Sequence, residues 1–532
     1  MNNNQKLLAQ NFIFPIALYF SLTGNVTALE THSIDKIYSS NHVFTNNYLS
    51  LGEALQFTLI NQPAIQSKVY DIEFSKGELL VESGEFDSQI ESTINRGENS
   101  ENIFDTDDDD ALITSTIERS FMDFRLDIQK RFRSGQTATL GYAVDYEDVE
   151  DSGTGASSEA EIFIELIQPL LKNRGVDASA AFERAAEIVI EAKEYDLRDG
   201  ISLSLLDTVE AYWDYLAAKE ILKVRQDATR VLDGLLPNLE DIDEEEIDSE
   251  DNAEFEAELN SRKSEIIEAN QEYVVAKYTL GLAMGLASPQ DIEAMPVPDE
   301  KFAHFNATDM ATLNNLLPVY LRKPDKQRAS ILSLKRLQES ASTLLQGARR
   351  NKEPQLDLIA RYGYFGTEPE SSFNSSFRSV KRNSGPVWLI GGEFSYPIGN
   401  RAAKGEIVQQ KALLMELKLQ VYDSLREISS SIMVTVKEIV HSQQEIALTE
   451  KSIANYEDSL QQLRIDFQED VDLGDLLDLI DIQDDWVDAR IDNIEQQARL
   501  TKAVAALVFE TGEMLAPGPD YKINVDKLTT VP

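Results

Sequence analysis

The chain has 532 residues, 42% of them hydrophobic, which is enough for more than one domain and a sizeable core, and it is not an acidic disordered tail. Its 93 Asp and Glu against 49 Lys and Arg give a net charge of −44, which argues against nucleic acid or anionic lipid as partners and for a cation-attracting surface or lumen. With no cysteine there is neither a disulfide framework nor a thiolate metal site, and His32, His42, His304 and His441 stand singly outside any zinc spacing, so no metal or cofactor is expected.

Residues 1–28 read as a secretory signal: Lys6 in a polar lead, the apolar run Phe12 to Phe20, and the small-residue site Val26-Thr27-Ala28. No later stretch approaches the roughly 20 apolar residues of a membrane helix, so an exported chain of this kind enters a membrane only as a β-barrel. Residues 29–300 and 301–515 then form two similar repeats, followed by a tail at 516–532 without periodicity, to which no role is given.

In the first repeat, Leu51 to Leu80 has helical period, capped by Ser50 with Glu53 three residues on, and Pro63 is expected to break or kink it. The period then shifts towards two. Phe86, Ile90 and Ile94 share one face of a possible strand, and 111–132 and 137–146 alternate around the turn Ser134-Gly135-Gln136, with Asp105–Asp110 as a solvated loop. The next strand places Ile162, Ile164 and Leu166 opposite Glu161 and Glu165 and ends in Pro169, with Asn173 and Arg174 opening a helix from Asp177 to about Leu235. An acidic turn at Glu240–Glu258 precedes a return helix over Ile266–Leu286.

The second repeat restates this plan. Leu356, Leu358, Ala360, Tyr362 and Tyr364 oppose Asp357 and Arg361, and Trp388, Ile390, Phe394 and Tyr396 oppose Glu393. Pro397, Asn400 and Arg401 repeat the strand-end signature of Pro169, Asn173 and Arg174. An oily, aromatic face opposite a charged one suits a lipid-facing barrel wall, although a one-sided soluble sheet alternates in the same way. The Gly/Ser-rich segments Asp148–Ser158 and Gly366–Asn383 read as loops between paired strands. From Ala402 to about Asp466 a single helix of roughly 95 Å is expected at 1.5 Å per residue. Leu425, Ile432, Ile439, Ile446, Ile453 and Leu460 recur along it every seven residues, with Ile428 and Leu463 adding to the seam, which is coiled-coil packing.

After that helix comes a turn, Asp472-Leu473-Gly474-Asp475-Leu476-Leu477-Asp478-Leu479-Ile480-Asp481-Ile482-Gln483, and a helix to Glu510-Thr511-Gly512. With the two Pro-to-Asn-Arg strand ends, this arrangement resembles the TolC-like outer membrane efflux proteins over nearly the whole mature chain. The resemblance implies a mixed α/β, mainly helical membrane protein, a homotrimer in which each chain gives four strands to one twelve-stranded barrel. Long coiled-coil hairpins continue that barrel as an α-barrel tunnel across the periplasm. It further implies docking through a periplasmic adaptor onto an inner-membrane pump of the RND, ABC or similar class, or onto a type I secretion system, and no catalytic activity. By motif, the family's pore-narrowing aspartates fall on Asp478 and Asp481. Three residues apart on a helix they share a face, and around a three-fold axis they would form stacked carboxylate rings that attract cations. A charged outer helix face is the plainer reading of the same pair.

Two departures from the family pattern stand out. Asp472 replaces the usual glycine, and Gly474 stands where the best-studied member has a latch arginine. The alternating pair at 111–146 is also extra, either a strand addition at the barrel base or a longer barrel hairpin. The competing classes are an exported coiled-coil adaptor or scaffold, which has no need of oily strand faces, and a carboxylate-using hydrolase, for which no triad order, phosphate loop or metal triad is present.

Overall fold

The computed structural model describes residues 44, 47–106, 112–149, 156–233, 249–302, 307–369, 380, 384–469, 473–518 and 520–528. The leader at 1–28, Asp472, and the central parts of the loops expected at 105–110, 148–158, 240–258 and 366–383 lie outside these residues.

The described chain opens with β1 (Tyr48–Leu49), α1 (Leu51–Asn61) and α2 (Pro63–Gly84). Ser50 caps α1 with a reciprocal box: its hydroxyl accepts the Glu53 N–H at 3.2 Å, and the Glu53 carboxylate accepts the Ser50 N–H at 3.1 Å. Pro63 takes the first position of α2, where its missing N–H has no partner to lose. Four strands follow, β2 (Ser88–Thr106), β3 (Leu112–Arg131), β4 (Thr137–Val149) and β5 (Ser157–Pro169). Next come α3 (Val176–Ser179), α4 (Ala181–Asp233), α5 (Ser249–Ala283), α6 (Pro289–Glu293) and β6 (Val297–Pro298). Then follow α7 (Ala307–Tyr320), α8 (Pro324–Gln327), α9 (Ala329–Asn351), β7 (Gln355–Pro369) and β8 (Ser384–Ser395). The chain ends in α10 (Arg401–Glu469), α11 (Leu473–Glu510) and α12 (Val525–Leu528).

Among the described residues, one antiparallel sheet has the order β2-β3-β4-β5-β7-β8, so this subunit carries six paired strands where four were expected. The additional pair is no separate ribbon. β3 runs along the whole of β4 in continuous register, from Arg131 opposite Thr137 to Arg119 opposite Val149. Phe86 is also corrected: it lies before β2 in the turn that follows α2, buried beneath the Arg133 guanidinium, 5.0 Å from the ring centre. A buried aromatic under a cation is better served there than on an open strand face.

The 69-residue α10 would be about 100 Å long at 1.5 Å per residue. Of its heptad seam, Ile432, Ile439, Ile446, Ile453 and Leu460 are buried and Leu425 is half-buried. Leu500, Ala503, Val504 and Leu507 of α11 share a cluster with Ile432, Ile439 and Ile446, which is the seam of an antiparallel hairpin. The acidic turn of the first hairpin is shorter than the sequence suggests, because α5 already begins at Ser249.

The main core lies where the short parallel pair β1–β6 crosses α4. Tyr212, Trp213 and Tyr215 of α4 are fully buried there, the Tyr212 hydroxyl donating to the Leu49 carbonyl at 2.9 Å. The tail has a structural place after all. Leu528 is fully buried in this core, Asn524 Nδ2 donates to the Glu513 carbonyl at 2.7 Å, and Lys527 pairs with Glu513 at 2.7 Å. Scattered contacts of that kind leave no periodic trace.

Candidate functional site

The strand registers align apolar side chains in rows that cross the sheet. One row runs Ile90, Ile128, Leu140, Ile164, Tyr362, Trp388, each directly opposite the next. All six are exposed, from 40% at Ile128 to 71% at Trp388. The next row on this face runs Ser92, Leu126, Tyr142, Ile162, Tyr364, and Leu166, Ile390 and Phe394 extend the face towards the strand ends. Ile162, Leu166, Tyr364, Ile390, Phe394 and, just past β8, Tyr396 are likewise exposed. An exposed apolar face this large marks a surface built to meet something other than water.

The opposite face carries the charge of β3, β5 and β7, and on β8 it shows Val387 and Leu389. Arg361 pairs with Glu161 at 2.6 Å and approaches Glu165 at 4.0 Å, and Arg125 pairs with Asp127 at 2.6 Å. Between these cations lies Phe163, with Arg361 stacked 3.5 Å and Arg125 5.7 Å from its ring centre. Its cross-strand partners are Gly141 and Gly363, and a Cβ on Gly141 would come within 2.1 Å of the ring. Gly141 vacates the space that the ring occupies, and Gly363 lets its strand approach the Ile162–Phe163 backbone. Sequence reading did not pick out Phe163, because it breaks the charged face of its own strand; the signal lay in glycines on the two neighbouring strands.

The repeated signatures build the strand-to-helix junctions. Asn173 and Asn400 both take left-handed backbone, φ +63° and +42°, which asparagine tolerates better than most side chains. The Asn400 side-chain amide donates to the Lys352 carbonyl at 2.9 Å. Asn173 sits against the β3–β4 turn, where Gly135 has φ +94° and an added Cβ would be 2.1 Å from the Asn173 carbonyl oxygen. Pro169 ends β5 and is buried, Pro397 precedes Asn400 in the second junction, Arg401 is the first residue of α10 and is exposed, and Arg174 turns back towards the Leu170 carbonyl at 3.4 Å. Both junctions reach the α9–β7 connection: the Leu170 and Lys172 N–H groups donate to the Leu356 and Pro354 carbonyls at 2.8 and 3.1 Å, as the Asn400 amide does to Lys352.

At the far end, most of the motif expected as a turn is instead the first turns of α11. Asp478 and Asp481 are both exposed on that helix, while Leu479 and Ile480 between them are buried. One turn further on, Asp484 meets a residue that sequence reading missed. Arg262 of α5, its side chain 4% exposed, donates to Glu258 at 2.9 Å and to the Ile480 carbonyl at 3.3 Å and pairs with Asp484. Partial burial pushes the Asp484 carboxyl up to about 7; Arg262 opposes the rise, and the neighbouring Glu258 and Glu265 add to it. A buried arginine thus joins α5 to α11. Among the described residues no group of His, Asp and Glu could hold a metal, and no helix is long and apolar enough to cross a membrane.

No family model matches the chain, and no curated protein matches it in sequence. Its fold does have solved counterparts. The CmeC outer membrane channel of Campylobacter jejuni superposes with a TM-score of 0.60 at 14% identity, over 90% of this chain and 89% of that one. A membrane protein from Pseudomonas aeruginosa gives 0.61 at 12% identity over 88% and 92%. The outer membrane protein VceC of Vibrio cholerae gives 0.56 at 14% identity over 87% and 96%. At such identities the likeness is one of fold, and it spans nearly the full length of both chains.

Proposed function

We propose that a chain with this fold, that of the TolC-like outer membrane factors, is itself an outer membrane channel: a homotrimer whose sheets form the membrane barrel and whose helical hairpins form a periplasmic tunnel. The observation that carries this reading is the apolar row from Ile90 to Trp388, exposed on every strand and backed by a charged face. Lipid on one side and a water-filled lumen on the other satisfy both faces at once. Transport is passive: cargo arrives from an inner-membrane pump of a tripartite efflux or type I secretion system through a periplasmic adaptor, and this chain contributes a path and its charge. The lipid-facing residues are Ile162, Ile164, Leu166, Tyr362, Tyr364, Trp388, Ile390, Phe394 and Tyr396.

The constriction is assigned to Asp478 and Asp481, exposed one helical turn apart. In three copies they place six carboxylates around one axis, which concentrates cations and slows anions. The test is conductance in planar bilayers. The wild-type channel should prefer cations and be blocked by trivalent ions, and Asp478→Asn with Asp481→Asn should lose both properties; a double variant indistinguishable from wild type removes the rings from the mechanism. A protein recovered as a soluble periplasmic monomer would point to the scaffold reading and end the channel one.

A further inference from the structure

We infer that the β2–β3 hairpin is part of the membrane wall, and that each subunit closes the barrel by pairing its β8 with β2 of the next copy, so that three subunits make an eighteen-stranded barrel. This rests on the channel reading above and departs from the twelve strands expected by resemblance.

Three observations carry it. First, β4 has no free edge, being paired with β3 on one side and β5 on the other, so a neighbouring copy cannot hydrogen-bond to it without displacing β3. Among the described residues β2 and β8 are the outer strands of the sheet, and they do not pair with each other. Backbone N–H and C=O groups left open in hydrocarbon cost several kcal/mol each, so both edges need a strand, and a second copy of this chain supplies both.

Second, the hairpin keeps the two-faced pattern of β4, β5 and β7. Ile90, Ile94, Phe124, Leu126 and Ile128 alternate onto the oily face and continue its rows, whereas Glu91, Asn95, Asp123, Arg125 and Asp127 alternate onto the charged one. Arg125 reaches the Phe163 ring on that face, so the hairpin helps to line the same lumen as β5 and β7. A ribbon lying outside the barrel would have no use for a charged face aligned with the lumen.

Third, the pattern stops where a bilayer would. β2 and β3 are 19 and 20 residues long, well beyond the roughly 9–11 needed to span. Beyond Ile94 and Met122 the oily face gives way to Glu98, Ser100, Glu118 and Ser120. The lower half of the hairpin is therefore membrane wall, and the upper half projects past it.

The absence of native cysteine makes disulfide trapping clean. In the full-length protein in outer membranes, Val387→Cys on β8 is combined in turn with Gln89→Cys, Glu91→Cys, Thr93→Cys or Asn95→Cys on β2, and separately with Thr139→Cys or Ala143→Cys on β4. Within one subunit either pairing is separated by at least two intervening strands, too far for a disulfide, since adjacent strands are already about 4.8 Å apart. Oxidation should give crosslinked dimers and trimers with one or two of the β2 positions and none with β4, and the barrel seen by electron microscopy should be about 1.5-fold wider than a twelve-stranded one, because diameter grows roughly with strand number. Crosslinking to β4, or a barrel of twelve-strand width, overturns the proposal while leaving a trimeric channel intact. Failure of all variants and of wild type to extract as membrane trimers overturns it together with the channel reading.

Discussion

Replacing Arg262 by methionine should loosen the start of α11 without unfolding the rest of the chain. The wild-type guanidinium is almost fully buried and holds Glu258, Asp484 and the Ile480 carbonyl. Breaking a fully buried pair costs about 3–5 kcal/mol, and because Glu258 and Asp484 remain 31% and 43% exposed, water recovers part of that, leaving about 2 kcal/mol. Since 1.36 kcal/mol is one factor of ten, amides near 478–490 should exchange with solvent roughly 30-fold faster in native-state hydrogen exchange. Amides of α9 and of the α4 core should be unchanged. Adding Asp484→Asn to Arg262→Met should return part of the protection, because it removes a carboxylate that lost its cation. Exchange at 478–490 within about three-fold of wild type would show that Arg262 is packing filler, and uniform acceleration across the chain would show that it supports the core instead of the tip. The same contact has a pH sign. Asp484 titrates near 7 in the fold against 3.8 in the unfolded chain, so the folded state keeps a proton that the unfolded state has released. The tip is therefore tightest below about pH 4, weakens as pH rises towards 7 and levels off above it.

Further predictions follow from the sheet and its junctions. Ile164→Lys, on the exposed apolar face, should cost about 2–4 kcal/mol of barrel stability in lipid, measured by urea unfolding from vesicles, whereas Glu165→Gln on the opposite face should cost under about 1 kcal/mol. Equal costs would mean that the two faces meet the same solvent. Gly135→Ala places a methyl 2.1 Å from the Asn173 carbonyl at φ +94° and should destabilise the β3–β4 turn by more than about 2 kcal/mol. Asn173→Gly, which only relieves backbone strain, should be close to neutral in the same urea unfolding. Phe163→Ala removes a buried ring from between Arg361 and Arg125 and should cost about 3 kcal/mol; Gly141→Ala in that background should be better tolerated than in wild type, and a strictly additive double variant would refute the packing argument.

Local periodicity in the sequence already determined much of this protein. Alternation assigned Ile164 and Trp388 to one face and Glu165 and Glu393 to the other, since a strand has period two wherever it goes. The heptads marked Ile432 to Leu460 as a seam, and Ser50 with Glu53 announced the start of α1, because a cap acts within four residues. The oily rows needed only that each strand keep its period. What the strands pair with is not local, and there tertiary structure decided. Continuous pairing of β3 along β4 made six strands of an expected four. Arg262 and Asp484, more than two hundred residues apart, meet because α5 and α11 pack side by side, and no spacing in the chain records it. Phe86 left its expected strand for a cation, and Leu528 found a core that its own segment gives no sign of. Period and capping are properties of a few neighbouring residues, whereas partner choice depends on which remote surfaces are left to cover.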